Sequence, residues 1–249
     1  GWSRKEIIRK IVLSATYRQS STARPDLLER DPINTLLARQ NRVRLTGEAI
    51  RDAALQASGL LTTQIGGPSV NPPMPAGVVE LSYGYRNWGL NWKSSNGADR
   101  YRRGLYIQFL RTVPYPMLVN FDAPKASVAA CRRDRSNTAL QALNLLNDPV
   151  FLETAQALAL RTLTNGAPRD FGSRLESAYL ETIGRPPSAT EKQRLQAYFE
   201  KQEKLLESDE KAVSQLAPIA SGGATQKETA AWTALASVLL NLEEFITRE

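Results

Sequence analysis

Residues 66–97 cannot be a helix, and that stretch organises the reading of everything around it. Gly66-Gly67-Pro68 and Pro72-Pro73-Met74-Pro75 open it, and Gly84, Gly89 and Gly97 are scattered through the rest. Proline lacks the amide that a helix needs and clashes with the preceding turn, and glycine loses the most freedom on being ordered. Yet the stretch also carries Tyr83, Tyr85, Trp88 and Trp92, half of the chain's four tryptophans. Disorder follows from low hydrophobicity, so this composition predicts an ordered loop packed on its neighbours, with room for short strands. Its aromatics either staple the loop down or serve a function, as long ordered loops often do.

Helical spacing dominates on either side. After Ser3, an N-cap, Ile7, Ile8, Ile11, Val12 and Ala15 recur at helical intervals and predict a helix over 4–16. Asp31-Pro32 predicts a second start, with Ile33, Leu36 and Leu37 facing inward. Thr46 opens a third helix carrying Ala49, Ile50, Ala53, Ala54 and Ala57, and Gly59 is placed to end it. Residues 100–112 lean towards helix, and Val113-Pro114-Tyr115-Pro116 is expected to be extended. Ser136 reads as the cap of a helix that turns Leu140, Leu143 and Leu146 inward, and Asp148-Pro149 starts another. Residues 171–183, with Leu175, Tyr179, Leu180 and Ile183 as core positions, precede the break at Gly184-Arg185-Pro186-Pro187. Ser188-Ala189-Thr190-Glu191 is a capping box, and 218–225 is a small-residue linker. A last helix over 227–247 carries Trp232, Leu235, Leu239, Leu240 and Phe245.

The expected fold is mainly α: an irregular multi-helix bundle with one long ordered Pro/Gly/aromatic loop. It is read as a single helical domain over 1–249 and as a piece of a larger protein. A helical start covers 1–65, the loop 66–97, a central polar segment 98–149, and C-terminal helices 150–249. No run approaches the length of a transmembrane helix, and the opening Gly1-Trp2-Ser3-Arg4 is not a signal peptide.

Composition removes several chemistries. There is no histidine and one cysteine, Cys131, read as a small buried hydrophobe. Imidazole metal ligands, Ser-His-Asp and Cys-His catalysis, haem attachment and cysteine-based zinc sites are therefore ruled out. No metal and no cofactor is expected; oxygen ligands alone could still form a hard-metal site, but no dense Asp run resembles a calcium loop. The net charge of +7 is uneven: residues 1–135 hold 21 Lys and Arg against 10 Asp and Glu, and residues 136–249 hold 11 against 15. Of the 21, 17 are Arg, the side chain suited to planar bidentate contacts with carboxylate, phosphate or sulfate. These arginines either pair within the protein or meet an anionic partner. Nucleic acid is the weakest such reading, because charge alone supports it.

The central segment concentrates polar groups. Asp122, Arg132, Arg133, Asp134, Asn137, Gln141, Asn144 and Asn147 crowd together, and on one helix Asn137, Gln141 and Asn144 would share a face. With Arg103, Tyr85 and Trp88 they form the candidate ligand-binding set. Three readings stay open. They form a hydrogen-bonded network that locks loop and helices together, or a site for an acidic glycan. In the third, Asp122 and Asp134 are an acid/base pair of a glycan-active hydrolase or lyase, which requires two carboxyls at a defined separation.

One ordered series of motifs resembles a known family. Arg100-Tyr101-Arg102-Arg103-Gly104-Leu105-Tyr106 leads to Arg111-Thr112-Val113-Pro114 and Phe121-Asp122-Ala123-Pro124. Cys131-Arg132-Arg133, Ser136-Asn137-Thr138, Gln141-Ala142-Leu143 and Leu145-Leu146-Asn147-Asp148-Pro149 follow. Leu13-Ser14-Ala15-Thr16-Tyr17-Arg18-Gln19-Ser20-Ser21, the stretch around Arg39-Gln40-Asn41-Arg42 and the ending Trp232 to Phe245 fit as well. The series resembles the planctomycete-type PSD family, domain of unknown function 1553; Ala139 stands where that pattern has proline. The resemblance implies the C-terminal part of a large exported protein, whose relatives carry cytochrome c and sometimes lectin-like domains. It implies other domains of the same full-length protein as partners. It supplies no catalytic residue, and the expected function is a non-catalytic interaction or scaffold module that binds an acidic polysaccharide.

Overall fold

The computed structural model describes residues 1–75, 77–78, 92–111, 113–125, 129–164, 170–219 and 223–248, Leu28 by its backbone alone. The middle of the expected loop, with Tyr83, Tyr85 and Trp88, lies outside the described residues, as do residues 220–222 of the expected linker. The chain falls into two compact units, residues 1–45 with 247–249, and residues 46–246.

In the first unit, Ser3 accepts from the Glu6 amide and starts α1 (Arg4–Leu13). The helix stops three residues short of the expected end. The Ser14 hydroxyl donates to the Ile11 carbonyl and accepts from the Tyr17 amide, which closes a turn instead of a further helical step. α2 (Pro25–Arg30) begins with proline at its first position. The expected helix at Asp31-Pro32 is absent. Asp31 ends α2, and its buried carboxylate accepts from the Thr35 amide and hydroxyl and from the Leu36 amide, all at 2.7 Å. The Leu36 amide in particular holds the Asp31 carboxyl below its ordinary range. Asn34 (φ +57°) and Leu37 (φ +52°) are left-handed, which no helix accommodates. A two-residue ladder pairs β1 (Val43–Arg44) antiparallel with β2 (Thr247–Arg248), Val43 opposite Arg248. Among the described residues of this unit only Asp31 and Asn34 are buried, so the inward stripes expected at Ile7–Ala15 and Ile33–Leu37 are in fact exposed.

The second unit is built on α3 (Gly47–Ser58), capped by Thr46 and ended by left-handed Gly59 (φ +79°), as its sequence predicts. The expected helix over 100–112 is replaced by two 3-10 turns, Gly97–Tyr101 and Gly104–Tyr106, followed by extended chain. The reason is tertiary. Carbonyls that a helix would use accept from elsewhere: Tyr101 from the Thr62 amide and Tyr106 from the Val70 amide, while Gln108 donates to Val70. Gly104 also packs so closely that a Cβ there would lie 3.0 Å from the Glu48 Cα. Pro116, expected to be extended, instead opens the short α4 (Pro116–Asn120).

α5 (Ala139–Asn147) leads into α6 (Pro149–Thr164), whose first turn is capped by Asp148 Oδ1 on the Val150 amide at 2.9 Å. α6 packs between α3 and α10 (Gln226–Leu239). α7 (Phe171–Ile183), α8 (Ala189–Leu206) and α9 (Glu210–Leu216) complete the body. Phe171, Phe199 and Trp232 form its aromatic centre, with ring centroids 5.1–5.4 Å apart. Leu175 and Tyr179 are buried as expected, but Leu180 points outward. The expected helix over 227–247 is divided between α10 and α11 (Glu243–Ile246) before the chain enters β2.

Three guanidinium groups hold this unit together. Arg51 on α3, 1% exposed, donates to the carbonyls of Arg102 (2.5 Å) and Arg100 (2.9 Å). Arg102, also 1% exposed, donates to the Pro68 and Gly66 carbonyls and lies 3.9 Å from the Tyr106 ring centroid. At the other end, Arg185 forks onto Glu191 (2.8 and 3.0 Å) and Glu244 (2.6 and 2.7 Å), joining the starts of α8 and α11. The Tyr179 hydroxyl donates to the same Glu191 carboxylate at 2.8 Å, and its own proton is held up to about 12 by burial and by Glu191.

Replacing Arg51 with Ala leaves two interior carbonyls unpaired and is expected to cost about 2–4 kcal/mol in denaturant unfolding. Arg185 holds the Glu191 carboxyl well below its ordinary 4.5. Folding therefore favours the ionised form: the clamp's stability is complete above pH 4.5 and is lost as pH falls below it. Arg185→Met should lower the melting temperature at pH 7 and flatten its decline between pH 5 and 3, measured by circular dichroism against the parent.

Candidate functional site

The polar segment picked out in the sequence does fold around a common centre, but not as one helix face. α4 ends at Phe121, and Asp122 follows in a left-handed conformation (φ +57°) unusual for anything but glycine or asparagine-like residues. That turn aims Asp122 Oδ2 at Ser136, which donates both its amide and its hydroxyl at 2.7 Å. Ser136 is thereby taken from its expected role as helix cap, and α5 begins only after Thr138. Asn137 thus precedes the helix and is exposed, while Gln141 and Asn144 turn inward. Gln141, completely buried, donates its amide nitrogen to the Asn120 carbonyl (2.9 Å) and the Ser136 hydroxyl oxygen (3.1 Å). Asn120 donates its own side-chain amide to Asn144 Oδ1 at 2.7 Å.

The consequence is a helix that faces the opposite way from expectation. Gln141, Leu145 and, just beyond the helix, Asp148 are buried, whereas Leu140 (64%), Leu143 (53%) and Leu146 (45%) are exposed. Periodicity alone places leucines inside. Here the polar groups at the end of α4 and at Ser136 need partners, and Gln141 and Asn144 on the buried face of α5 supply them.

The loop that Asp122 tethers carries the arginines. Arg133 makes a two-pronged contact with Glu48 in the first turn of α3, at 2.9 and 3.0 Å. Burial pushes the Glu48 carboxyl up, but the Arg133 hydrogen bonds and charge, together with bonds from the Glu48 amide and the Thr46 hydroxyl, hold the group below its ordinary range. Arg132, Arg133, Asp134, Arg135 and Ser136 line a basin of about 670 Å³, the larger of the two described cavities. Cys131, expected to be buried, is exposed beside them, because residues 129–135 all lie on the surface.

Of the remaining candidates, Arg103 is exposed and sits one residue before Gly104, whose amide donates to Asp52 Oδ1 at 2.7 Å. Burial raises the Asp52 carboxyl, and the charge of Arg103 is one of the influences lowering it. Tyr85 and Trp88 lie outside the described residues. The expected carboxylate pair is unevenly placed: Asp122 Oδ2 is taken up by two donors from Ser136, while Asp134 is exposed in the basin wall. Sequence reasoning missed Asn120 and Glu48, which hold the two ends of this arrangement. It also missed Arg51 and Arg102. Asn120 had a readable signal, a polar residue just before the Phe121-Asp122-Ala123-Pro124 motif; Glu48 looked like any acidic residue in a helical first turn.

Residues 1–199 match the family model described as protein of unknown function, DUF1553. The chain belongs to the DUF1553 family. The matched range holds the basin, its tether through Asp122 and the Arg51–Arg102 contacts, and ends within α8. The DUF1553 match therefore leaves out α9, α10 and α11, including Trp232 of the aromatic centre. No curated protein and no solved structure matches the chain.

Asp122→Ala removes the acceptor for both Ser136 donors and should cost about 1–3 kcal/mol. Hydrogen exchange measured by mass spectrometry should speed up over residues 129–138 and stay unchanged in α6 and α10.

Proposed function

We propose that this chain is a non-catalytic interaction module that binds an acidic polysaccharide at the arginine basin, as part of an exported multidomain protein. The observation that carries the reading is the basin itself. Three arginines of one loop, with Asp134 and Ser136, line about 670 Å³ of open space on a loop anchored from beneath by Asp122 and Gln141. Arg132 and Arg135 are exposed on it, and Arg133, although bound to Glu48, adds its charge. Guanidinium forks suit sulfate and uronate groups, and a loop already held in place lowers the ordering cost of binding. Export and the company of other domains rest on the family resemblance drawn from the sequence motifs.

The reading is tested by calorimetric titration with a sulfated polysaccharide and with polygalacturonate at low ionic strength, where screening is weakest. The expected result is saturable binding that weakens with added salt. The double substitution Arg132→Ala, Arg135→Ala should reduce affinity at least about tenfold while leaving the melting temperature in place. No heat with either polymer, or equal affinity in the double variant, would defeat the proposal.

A further inference from the structure

A second cavity, of about 300 Å³, shares no lining residue with the arginine basin. One face of α6 contributes Glu153, Gln156, Ala157 and Leu160, at the spacing that puts residues side by side on a helix. α10 contributes Thr229 and Thr233, and the last residue of α9 with the chain after it supplies Leu216 to Ile219. Ala157 on α6 and Thr229 and Thr233 on α10 are the small side chains of this lining, and they leave the space between the helices unfilled. Ile219, 65% exposed, marks the side open to solvent.

We propose that this cavity binds a small uncharged ring compound bearing a single hydroxyl group. Much of the polar-looking lining is already satisfied. Thr229 and Thr233 donate their hydroxyls to the carbonyls of Thr225 and Thr229, each at 3.0 Å, and the Gln156 amide donates to the Gln215 carbonyl at 2.9 Å. What they leave is a largely apolar wall with Leu60 and Leu160. The polar end is Glu153, whose two oxygens accept from Arg100 Nε at 2.9 Å and from Arg100 Nη2, with Tyr101 also in the lining.

That end is polar but carries no net charge. A carboxylate would be repelled by Glu153, and an ammonium would find its counter-charge already engaged by Arg100. A hydroxyl can still donate to a remaining carboxylate lone pair, since an ionised carboxyl offers about four acceptor positions. The volume sits at the lower end of ligand pockets and is roughly twice that of an apolar cavity that holds benzene. A single substituted ring fits those limits. The site is independent of the polysaccharide reading, and neither stands or falls with the other.

The test uses the full chain with p-cresol as probe and benzoate and benzylamine as charged counterparts, followed by ligand-observed NMR. p-Cresol should bind saturably with a dissociation constant on the order of 1 mM or tighter. Nuclear Overhauser contacts should run from its ring to the methyls of Leu60 and Leu160. Benzoate and benzylamine should bind at least about tenfold more weakly. Ala157→Phe, which fills the space from a half-buried position, should weaken p-cresol at least about tenfold with helical content preserved; Leu160→Trp makes the same comparison if the first variant does not fold. Absence of saturable p-cresol binding, Overhauser contacts to other residues only, equal binding of the charged probes, or unchanged affinity in a folded filled variant would each overturn the proposal.

Discussion

A guanidinium placed inside a helical body must find acceptors, and in this protein the acceptors come from a segment that gave up being a helix. Arg51 is fixed on α3, and the carbonyls within its reach are those of Arg100 and Arg102. Carbonyls committed in this way cannot also serve an intact α-helix, so 97–106 is held as two tight turns. Arg102 passes the constraint on by holding the Gly66 and Pro68 carbonyls at the start of the loop. Both arginines pay with a buried Nε that has no partner among the described residues. Their attachment to backbone, not to carboxylates, explains why a strongly basic half can be packed without an equal number of acids. Part of the arginine excess is therefore internal, and part, Arg132 and Arg135, is exposed on the basin.

The same logic sets α5. The turn from Asn120 to Asp122 lies against the body, and its partly buried polar groups need hydrogen-bonding partners from side chains. Gln141 and Asn144 meet that need from within, at the expense of leaving Leu140, Leu143 and Leu146 in water. The basin exists because of this choice: Asp122 and Gln141 grip Ser136 from below and Glu48 grips Arg133 from the side, so the arginines between them are presented on a held loop. The first unit shows a related pattern. With no apolar side chain buried among its described residues, its order is carried by the hydrogen bonds that converge on Asp31 and Asn34.

The elements that could be read directly were those whose signals lie within one helical turn. Thr46 and Gly59 bound α3, Asp148-Pro149 starts α6, and Ser188 and Glu191 complete their reciprocal cap. Asp31-Pro32 carried the same local signature as Asp148-Pro149 and folded differently, because Asp31 found the Thr35 and Leu36 amides in a turn before a helix could claim it. The candidate site was half legible. Asp122, Gln141 and Asn144 do meet, and Arg132, Arg133 and Asp134 do share a cavity wall, but Asn137 stands outside the hydrogen-bonded centre.

The sequence by itself determined the mainly helical class, several of its caps, the absence of imidazole chemistry and the crowding of polar groups between residues 122 and 147. Those depend on residue type and on neighbours a few positions away. The tertiary structure alone decided which face of α5 is buried, where 100–112 goes and which arginines are free. Each of those rests on partners far apart in the chain, such as Arg51 with Arg102 across 51 residues and Glu48 with Arg133 across 85. A buried polar group is satisfied by whatever the fold brings within hydrogen-bonding distance, and no spacing rule within one element encodes that.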